Sequence, residues 1–270
     1  MIFKVNPKVR FSVAIAAFNE AENIGDCLKS LQGVADEVVV VDGSSTDQTR
    51  FLARKLGARV IKTTNPPMFH INKNKAIDAC LGEWILVLDA DERISPELGK
   101  EIRAVVEKKA KKGDPSGYWL KRKNLFLGRY LKKGGQYPDP VIRLFKKGRG
   151  YHPAESVHEQ IEIKGRVGWL KNDLIHRSSP TFARYLKRFK RYTTLEAGHL
   201  KKAGVKIGPK SAFIYLFGKP NLTFWSLFLL HRGFVDGFPG FVFALFSGLH
   251  WFVAYLKHWQ RSYSSEVAGA

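Results

Sequence analysis

The clearest chemical signal in the sequence is a pair of carboxylates, Asp89 and Asp91, that follows the apolar run of residues 84–88. A near-continuous apolar run of this length is typical of a strand that is buried on both faces of a parallel sheet. Two carboxylates at the end of such a strand are hard oxygen ligands, suited to Mg²⁺ or Mn²⁺ bridging a diphosphate. The alternative is structural, because the same residues also lead into a helix with Ser95 as N-cap and Pro96 in its first turn.

Polar side chains also follow two earlier apolar segments. The run FSVAIAA is followed by Asn19 and Glu20, and the run EVVVV is followed by Asp42 and Ser44. Each run precedes a segment with helical periodicity, so the first hundred residues alternate strands and helices and predict a doubly wound α/β domain. Ligands bind at the carboxyl ends of the strands in such domains. The polar clusters are therefore expected to share one binding site.

Three motifs, AFNEAENIGDCLKSL, EVVVVDGSSTDQT and NKAIDACLGEWILVLDADE, are similar in order and spacing to the nucleotide-sugar-binding half of family 2 glycosyltransferases. The later stretches KRKNLFLGRYLKKGGQYPDPVIRLFKKG and ESVHEQIEIKGRVGWLKNDLIH resemble the bacterial lipopolysaccharide-core glucosyltransferases of that family. The resemblance covers residues 10–180 well and the remainder loosely. It implies the GT-A fold, an α/β architecture with a Rossmann-like, mostly parallel sheet flanked by helices, here followed by a C-terminal α-helical membrane-associated appendage. The family often has Pro where Ala16 or Ala17 stands and Arg where Lys73 stands, and neither change removes a charged ligand.

The resemblance also implies how a nucleotide sugar is bound. Asn19 and Glu20 would line the nucleoside pocket. Asp42 would accept a hydrogen bond from the uracil N3–H or a ribose hydroxyl, with Ser44 beside it. For Ser44, a turn or helix-capping role is a real alternative.

The two aspartates of the DAD motif receive different roles. Asp91 would bind the metal directly, while Asp89 would complete the metal pair and contact the ribose or the sugar. His158 is a further candidate ligand of the metal or a phosphate, although a lone histidine on a strand also serves structural roles. The expected cofactor is Mg²⁺ or Mn²⁺, which neutralises the charge that develops on the departing nucleoside diphosphate.

Three more residues are candidates for contact with the diphosphate or the donor sugar. Asn74 or Lys75, just ahead of the fourth strand, would meet the phosphates or the sugar, unless they are solvated helix residues. Arg143 would clamp the diphosphate through two hydrogen bonds, as a planar guanidinium allows. Its alternative is a solvated arginine at a sheet edge.

An inverting displacement at the anomeric carbon requires a carboxylate that takes the proton of the acceptor hydroxyl. Glu159 and Asp139 are the two candidates for this catalytic base. Glu159 is favoured because the adjacent His158 and the preceding strand-like segment resemble the position at which this fold presents its base.

The net charge of +21 arises entirely in the second part of the chain. Residues 1–100 hold 13 basic and 13 acidic residues, whereas residues 101–270 hold 32 basic and 11 acidic residues. Such asymmetry is typical of a neutral small-molecule module joined to a surface that meets polyanions, such as nucleic acid, an anionic leaflet or a phosphorylated glycolipid. A nucleic-acid-binding module is disfavoured because the sequence has no motif for it and the three strand-end clusters would have no role.

The C-terminal part combines basic and apolar segments. Residues 181–204 place aromatic residues at helical spacing with basic residues between them, which favours an amphipathic helix on an anionic leaflet over an ordinary domain-packing helix. Residues 211–259 are rich in aromatic residues, and residues 237–256 carry no formal charge. Twenty residues just suffice to cross a bilayer, but Pro239 and several glycines interrupt them. We therefore expect paired helices that dip into one leaflet rather than a true span.

These features predict two domains. Residues 1–180 would form the nucleotide-sugar-binding and catalytic domain, and residues 181–270 a basic amphipathic and hydrophobic helical region that associates with the membrane. Cys27 and Cys80 lack the spacing of metal ligands or of a disulfide framework, and the first twenty residues show no secretory signal. The expected location is the cytoplasmic face of the bacterial inner membrane, in a peripheral or monotopic state.

The predicted function is an inverting, metal-dependent transfer of a hexose, glucose from UDP-glucose, to a lipid-linked glycan such as the lipopolysaccharide core. The expected partners are the UDP-sugar donor, that acceptor and an anionic membrane surface, without nucleic acid. Transfer to polyprenyl phosphate is an alternative on the same fold, although tails of that kind usually show two clear spans. A non-enzymatic polyanion-binding module is the other alternative.

Overall fold

A computed structural model describes residues 9–154 and 159–267 of the chain. The chain divides into two compact units. The first unit comprises Met1–Arg122 and Asp139–Arg177, and the second comprises Lys123–Pro138 and Ser178–Ala270.

The first part of the chain alternates strands and helices as the sequence predicts. These elements are β1 (Phe11–Ala17), α1 (Ala21–Ser30), β2 (Glu37–Asp42), α2 (Thr49–Lys55), β3 (Arg59–Lys62), α3 (His70–Ala79) and β4 (Trp84–Asp89). The following elements are β5 (Glu92–Ile94), α4 (Pro96–Glu107), β6 (Gly117–Phe126), β7 (Arg129–Tyr130), β8 (Asp139–Lys146), β9 (Gly150–Tyr151), β10 (Glu162–Ile163) and β11 (Val167–Ser179). Helix α3 begins at His70, so Asn74 and Lys75 both lie on this helix.

Within the described residues, one sheet has the order β3-β2-β1-β4-β8-β6-β11-β5, with β7 paired to β6. Strands β3, β2, β1 and β4 are parallel neighbours, which confirms the predicted Rossmann-like part of the GT-A fold. The sheet then continues with antiparallel pairings, β4 with β8, β8 with β6 and β11 with β5. Strands β9 and β10 form a separate antiparallel pair. The carboxyl ends of β2, β1 and β4 therefore lie side by side at one edge of the sheet.

The central strands are buried because helices cover both faces of the sheet. Apolar side chains of α1 and α4, such as Ile24 and Leu98, pack on one face with Val13 of β1. Ala76 of α3 packs on the other face with Ala14. Helix α4 begins where its sequence predicts, because Ser95 Oγ accepts a hydrogen bond from the backbone N–H of Leu98 at 3.2 Å.

The second unit is mainly helical. Its helices are α5 (Phe182–Lys202), α6 (Pro209–Phe213), α7 (Lys219–Trp225) and α8 (Gly237–Val267), with π-helical turns at Ile214–Gly218 and Ser226–Leu230 and a 3-10 turn at Gly233–Asp236. Two helical stretches, Pro209–Leu230 and Gly233–Tyr263, are long and apolar enough to cross a membrane, judged by length and composition alone. In the first stretch, no part of the most apolar 18-residue window is buried inside the protein. In the second stretch, 33% of the corresponding window is buried. The expectation of paired helices that dip into one leaflet stays a prediction, because length and composition are the same for a helix that spans a membrane and for one that lies in it.

Candidate functional site

The carboxylate of Asp42, at the end of β2, is fully buried. One oxygen, Oδ2, accepts a hydrogen bond from the backbone N–H of Ser45 at 3.0 Å and lies 3.4 Å from Nε of Arg50. The other oxygen, Oδ1, has no hydrogen-bond donor among the described residues. A buried carboxylate oxygen without a donor is costly, so this atom is a strong acceptor for a ligand N–H or O–H group.

Asn19, at the end of β1, shapes the loop that follows β2. Its backbone lies in the left-handed region with φ 54°. Its Oδ1 accepts from the backbone N–H of Thr46 at 2.8 Å, and its own N–H donates to Ser45 Oγ at 2.9 Å. Asn19 thus ties the ends of β1 and β2 together through its side chain and backbone.

Glu20 and Ser44 are held by neighbouring groups at the same sheet edge. Glu20 Oε2 accepts from Asn23 Nδ2 at 2.6 Å, and its N–H donates to Thr49 Oγ1 at 2.8 Å. Ser44 has φ 63° and donates its hydroxyl to the carbonyl of Thr63 at 2.8 Å. The predicted nucleoside residues therefore occupy one continuous set of loops.

Asp89, at the end of β4, is held between two cations. Lys73 Nζ lies 2.5 Å from Oδ1, and Arg143 Nη2 lies 2.6 Å from Oδ2. Burial opposes ionisation of this carboxyl group, but the charges of Arg143 and Lys73 outweigh it and hold the pKa of Asp89 well below its usual range. Both oxygens of Asp89 therefore have cationic partners within the protein, and the side chain remains ionised at neutral pH.

Glu92 extends this charge network and is fully buried. Its Oε1 accepts from Arg143 Nη2 at 3.0 Å and from Arg122 Nη1 at 3.4 Å, while Oε2 accepts from the backbone N–H of Asp89 at 2.9 Å. Arg122 also holds Asp139 Oδ2 through Nε at 2.8 Å and Nη2 at 2.7 Å. Arg122 thus holds the Asp139 carboxylate through two hydrogen bonds to one oxygen.

Asp91 has a different partner from Asp89. Its Oδ2 lies 3.5 Å from Nε2 of His176, a residue of β11. The backbone N–H of the next residue, Arg177, donates to the carbonyl of Asp91 at 2.9 Å. An imidazole nitrogen and a carboxylate oxygen at this separation can face one divalent cation.

The described part of the chain supplies few metal ligands on its own. Across residues 9–154 and 159–267, no three His, Cys, Asp or Glu side chains cluster as a ligand set. His158, the predicted additional ligand, lies outside the described residues. A cation held by Asp91 and His176 would therefore need ligand oxygens, such as those of a diphosphate, to complete its coordination.

Glu159 lies beside two buried histidines. Its Oε2 is 3.9 Å from Nδ1 of His70, and the His70 ring stacks on the ring of His152 with centroids 4.3 Å apart. Burial first, and then the nearby cation of Lys73, lower the pKa of His152 to about 3, so its ring is neutral at pH 7. The carboxylate of Glu159 thus faces the imidazole of His70, which is buried and stacked on a neutral imidazole.

Asn74 and Lys75 of α3 make contacts within the protein. Asn74 Nδ2 donates to the carbonyl of His152 at 2.8 Å, and its Oδ1 accepts from the N–H of His152 at 3.0 Å. Lys75 is exposed, and its Nζ donates to Thr63 Oγ1 at 2.9 Å. Asn74 therefore fixes the backbone ahead of the segment that carries Glu159.

Several residues at this site were not assigned a role from sequence. Lys73 was noted only as a departure from the family pattern, and nothing in its local sequence shows that it is buried against Asp89. Arg122 and His176 lie within the two later stretches that carry the resemblance but received no role there, and only the folded structure brings them and His70 to the carboxylates. The helical spacing of His70, Lys73 and Asn74 was the one available signal, because residues three and four apart share a helix face.

The parallel sheet, extended by antiparallel strands and followed by carboxylates at the ends of β2, β1 and β4, has the GT-A fold. A mannosyltransferase from Pyrobaculum calidifontis, solved with GDP-Man and Mn²⁺, has the same fold, with a TM-score of 0.53 at 16% identity over 94% of this chain and 89% of that chain. Residues 12–148 match the family described as Glycosyl transferase family 2. The chain belongs to this family, which confirms the resemblance of its motifs.

The chain is also similar to curated bacterial proteins. The lipopolysaccharide core biosynthesis glycosyltransferase LpsC of Rhizobium meliloti is 28% identical over 94% of this chain and 94% of that protein. An uncharacterized glycosyltransferase of Rickettsia felis is 29% identical over 86% of this chain and 83% of that protein.

Proposed function

We propose that the protein is an inverting hexosyltransferase that moves glucose from UDP-glucose to a lipid-linked glycan such as the lipopolysaccharide core. The observation that carries the proposal is the position of Asp42, Asp89 and Asp91 at or just after the carboxyl ends of β2 and β4, which flank β1 in the sheet, with Asp42 Oδ1 buried and lacking a donor among the described residues. Uracil N3–H is a donor that this oxygen can accept from. The similarity to LpsC along nearly the whole chain supports a glycan of the lipopolysaccharide core as acceptor.

The proposed reaction is a single displacement. The acceptor oxygen forms a bond to the anomeric carbon while the bond from that carbon to the diphosphate oxygen breaks, which inverts the configuration. Glu159 takes the acceptor proton in this proposal. It is preferred to Asp139 because Arg122 holds the Asp139 carboxylate through two hydrogen bonds.

A divalent cation fits the donor set at the end of β4. Asp91 and His176 would hold Mg²⁺ or Mn²⁺, and the cation would neutralise charge on the leaving diphosphate. The mannosyltransferase with the same fold was solved with Mn²⁺. The Asp89 oxygens already contact Lys73 and Arg143, so Asp89 acts in this proposal through the sugar or ribose and through its charge network.

The second unit would hold the enzyme on the membrane surface, at the cytoplasmic face of the inner membrane. Helix α8 packs beside α5 through Phe246, which contacts the rings of Phe182, Tyr185 and Phe189. Helix α5 exposes basic side chains, among them Lys187, Lys190 and Arg191. A helix packed along such a polar partner fits an orientation in the membrane plane better than a span.

Lys219 supports the same orientation. It lies near the middle of the apolar stretch Pro209–Leu230, and its Nζ sits 4.3 Å from the ring centre of Tyr215 and 4.0 Å from that of Trp251. A charge at the bilayer centre costs at least about 2.5 kcal/mol. Lys, Tyr and Trp together are instead typical of the membrane–water interface.

Transfer to polyprenyl phosphate is the second candidate, favoured by the two stretches that are long enough to span a membrane. One transfer assay separates the two. Purified protein is given radiolabelled nucleotide sugars with Mn²⁺ and either core-truncated lipopolysaccharide or polyprenyl phosphate. We expect label from UDP-glucose in the lipopolysaccharide, in the inverted anomeric configuration. Label only in polyprenyl phosphate would replace the proposed acceptor, and no donor cleavage with any nucleotide sugar would overturn the proposed activity.

A further inference from the structure

The buried carboxylate of Asp236 joins two surface segments of the second unit. Asp236 is the sole acidic residue between positions 197 and 265 of the sequence, and it is 1% exposed. Its Oδ2 accepts from the backbone N–H groups of Lys132 and Lys133 at 2.9 Å and 2.8 Å. Its Oδ1 lies 3.5 Å from Nε of Arg129. This side chain therefore fixes residues 129–133, here called the basic loop.

The segment that contains Asp236 is closely joined to the same loop. The N–H of Gly134 donates to the carbonyl of His231 at 2.9 Å. The turn itself is tight, because a Cβ on Gly233 would lie 2.7 Å from the carbonyl oxygen of Leu227. Residues 229–238, here called the apolar turn, therefore hold a defined position beside the basic loop.

The apolar turn exposes large hydrophobic side chains to an unusual extent. Leu230 is 79% exposed and Phe238 is 73% exposed. Leu229, Phe234 and Val235 are also exposed. Apolar side chains clustered in this way, and bordered by polar groups, mark an interaction surface more often than scattered ones do.

The basic loop gives this surface its charge. Arg129, Lys132 and Lys133 of the basic loop are exposed, as is Arg232 of the apolar turn, and residues 123–138 contain no acidic residue. Asp236 neutralises part of the charge of Arg129 but is itself buried. The two segments thus present cations directly beside exposed hydrocarbon, a combination that complements anionic headgroups above acyl chains.

We propose that the basic loop and the apolar turn together form the site at which this protein inserts into an anionic phospholipid leaflet. The apolar turn would enter the acyl region while Lys132 and Lys133 contact lipid phosphates. Asp236 would hold the basic loop against the apolar turn through its hydrogen bonds to the backbone of Lys132 and Lys133. The inference rests on the proposed membrane-bound acceptor, and it places part of the membrane contact in residues 129–133, far from the C-terminal helices in sequence.

Vesicle co-sedimentation of the full-length chain tests the proposal. The probes are vesicles of phosphatidylcholine alone and of phosphatidylcholine mixed with phosphatidylglycerol. The charge-reversal variant Lys132→Glu/Lys133→Glu is compared with Lys111→Glu/Lys112→Glu, which makes the same change at an exposed basic pair elsewhere. We expect the first variant to lose about tenfold or more in partitioning to anionic vesicles, and the second to lose much less. If both variants lose partitioning equally, net charge alone explains the loss, and the proposed site is overturned.

A second pair of variants tests the apolar turn. Leu230→Ser/Phe238→Ser should weaken binding to both vesicle types, whereas Phe51→Ser/Leu81→Ser, also at exposed positions, should leave it unchanged. Circular dichroism and the thermal midpoint verify folding of every variant. If the Leu230→Ser/Phe238→Ser variant binds vesicles normally but converts a dimeric wild type to a monomer in sedimentation equilibrium, the occupant is a second copy of the chain.

Donor hydrolysis measured on the same samples separates this inference from the proposed function. Vesicle binding that depends on the two patches, in a protein that cleaves no nucleotide sugar, would retain the membrane site and remove the proposed activity. If transfer is normal and neither the Lys132→Glu/Lys133→Glu nor the Leu230→Ser/Phe238→Ser variant changes vesicle binding, the proposed activity is retained and the proposed membrane site is removed.

Discussion

Buried Lys73 and half-buried Asp89 form an ion pair in which the ammonium nitrogen lies 2.5 Å from the carboxylate oxygen Oδ1. Arg143 holds the other oxygen at 2.6 Å and also contacts Glu92. The first aspartate of the DAD motif is therefore part of a fixed charge network rather than a free carboxylate. The second aspartate, Asp91, has a separate partner in His176, so the two carboxylates are chemically distinct despite their proximity in sequence.

Removing the lysine of this pair should affect both stability and donor binding. Lys73→Met leaves Asp89 with one cation in place of two, and we expect a loss of about 1–3 kcal/mol in the free energy of unfolding. UDP-sugar affinity should fall about tenfold because the Asp89 carboxylate is no longer held in place. Urea unfolding and titration calorimetry measure the two quantities. Lys29→Met, at an exposed lysine of α1, is the control, and equal behaviour of the two variants would contradict the structural role of Lys73.

Binding of UDP should depend on a divalent cation through Asp91. Asp91→Asn removes the negative charge that would hold the cation, and His176→Gln removes the imidazole nitrogen beside it. We expect both variants to lose the Mn²⁺-dependent part of UDP affinity in titration calorimetry, while Asp78→Asn, at an exposed position of α3, retains it. The metal assignment is wrong if UDP binds Asp91→Asn as tightly as the wild type and EDTA has no effect on either.

The two candidate bases should differ in kinetic effect. Glu159→Gln should lower kcat by about 10² or more while UDP affinity stays nearly constant, because general-base catalysis typically supplies about 10² to 10⁴. Asp139→Asn should mainly reduce thermal stability, since it breaks the contact with Arg122. Steady-state transfer assays and thermal denaturation measure these effects. The roles must be exchanged if Asp139→Asn is inactive and Glu159→Gln is active.

Asp36 should make the stability of the first unit dependent on pH. Burial opposes its ionisation, but hydrogen bonds from Arg103 and from the backbone N–H groups of Phe11 and Arg10 outweigh it and lower the pKa of Asp36. A carboxyl group with a lower pKa in the folded state stabilises the protein above its unfolded pKa of about 3.9. That contribution is lost as pH falls through the folded pKa.

The test compares urea unfolding of wild type and Asp36→Asn at pH 7 and near pH 3. The wild type should be more stable by about 1 kcal/mol at pH 7, a modest value because solvent partly screens the ion pair. The difference should shrink at the lower pH. Asp26→Asn, at a half-exposed carboxylate of α1, is the control, and a difference that grows toward acid would contradict the assignment.

Membrane association should survive salt in part. Each basic side chain near an anionic leaflet contributes about 1 kcal/mol, screened over a Debye length of about 8 Å, whereas burial of apolar side chains is not screened. We expect full-length protein to float with anionic liposomes and to remain partly bound in high salt. Complete release by salt would leave only an electrostatic contact. Resistance to both salt and alkaline carbonate would instead support helices that span the bilayer.

The parallel part of the fold could be predicted from local sequence because each of its elements is defined by short-range properties. Residues 11–17 are apolar except for Ser12, and residues 84–88 are apolar throughout, as expected of strands covered on both faces; β1 and β4 occupy these positions. Ser95 caps α4 as its position before proline predicts. Such signals act within a few residues and therefore do not require knowledge of the tertiary structure.

The antiparallel strands could not be placed from the sequence. No strand was predicted at residues 92–94, but they form β5, which pairs with residues of β11 that lie eighty or more positions later. A three-residue strand has no periodicity to detect, and it exists only because Leu174 and His176 provide a partner edge. Pairing over such sequence distances depends on the complete sheet.

The candidate site, like the fold, could be predicted from the sequence only in part. The sequence determined which carboxylates stand at the strand ends, because a strand that ends in Asp42 or Asp89 presents that side chain at the sheet edge wherever the strand lies. The tertiary structure decided their partners. Lys73 and Arg143 neutralise Asp89, and His176 joins Asp91, because helix packing and strand order bring cations and an imidazole from remote segments to these oxygens. Electrostatic environment is set by distances in space, and those distances follow from the packing of the whole first unit.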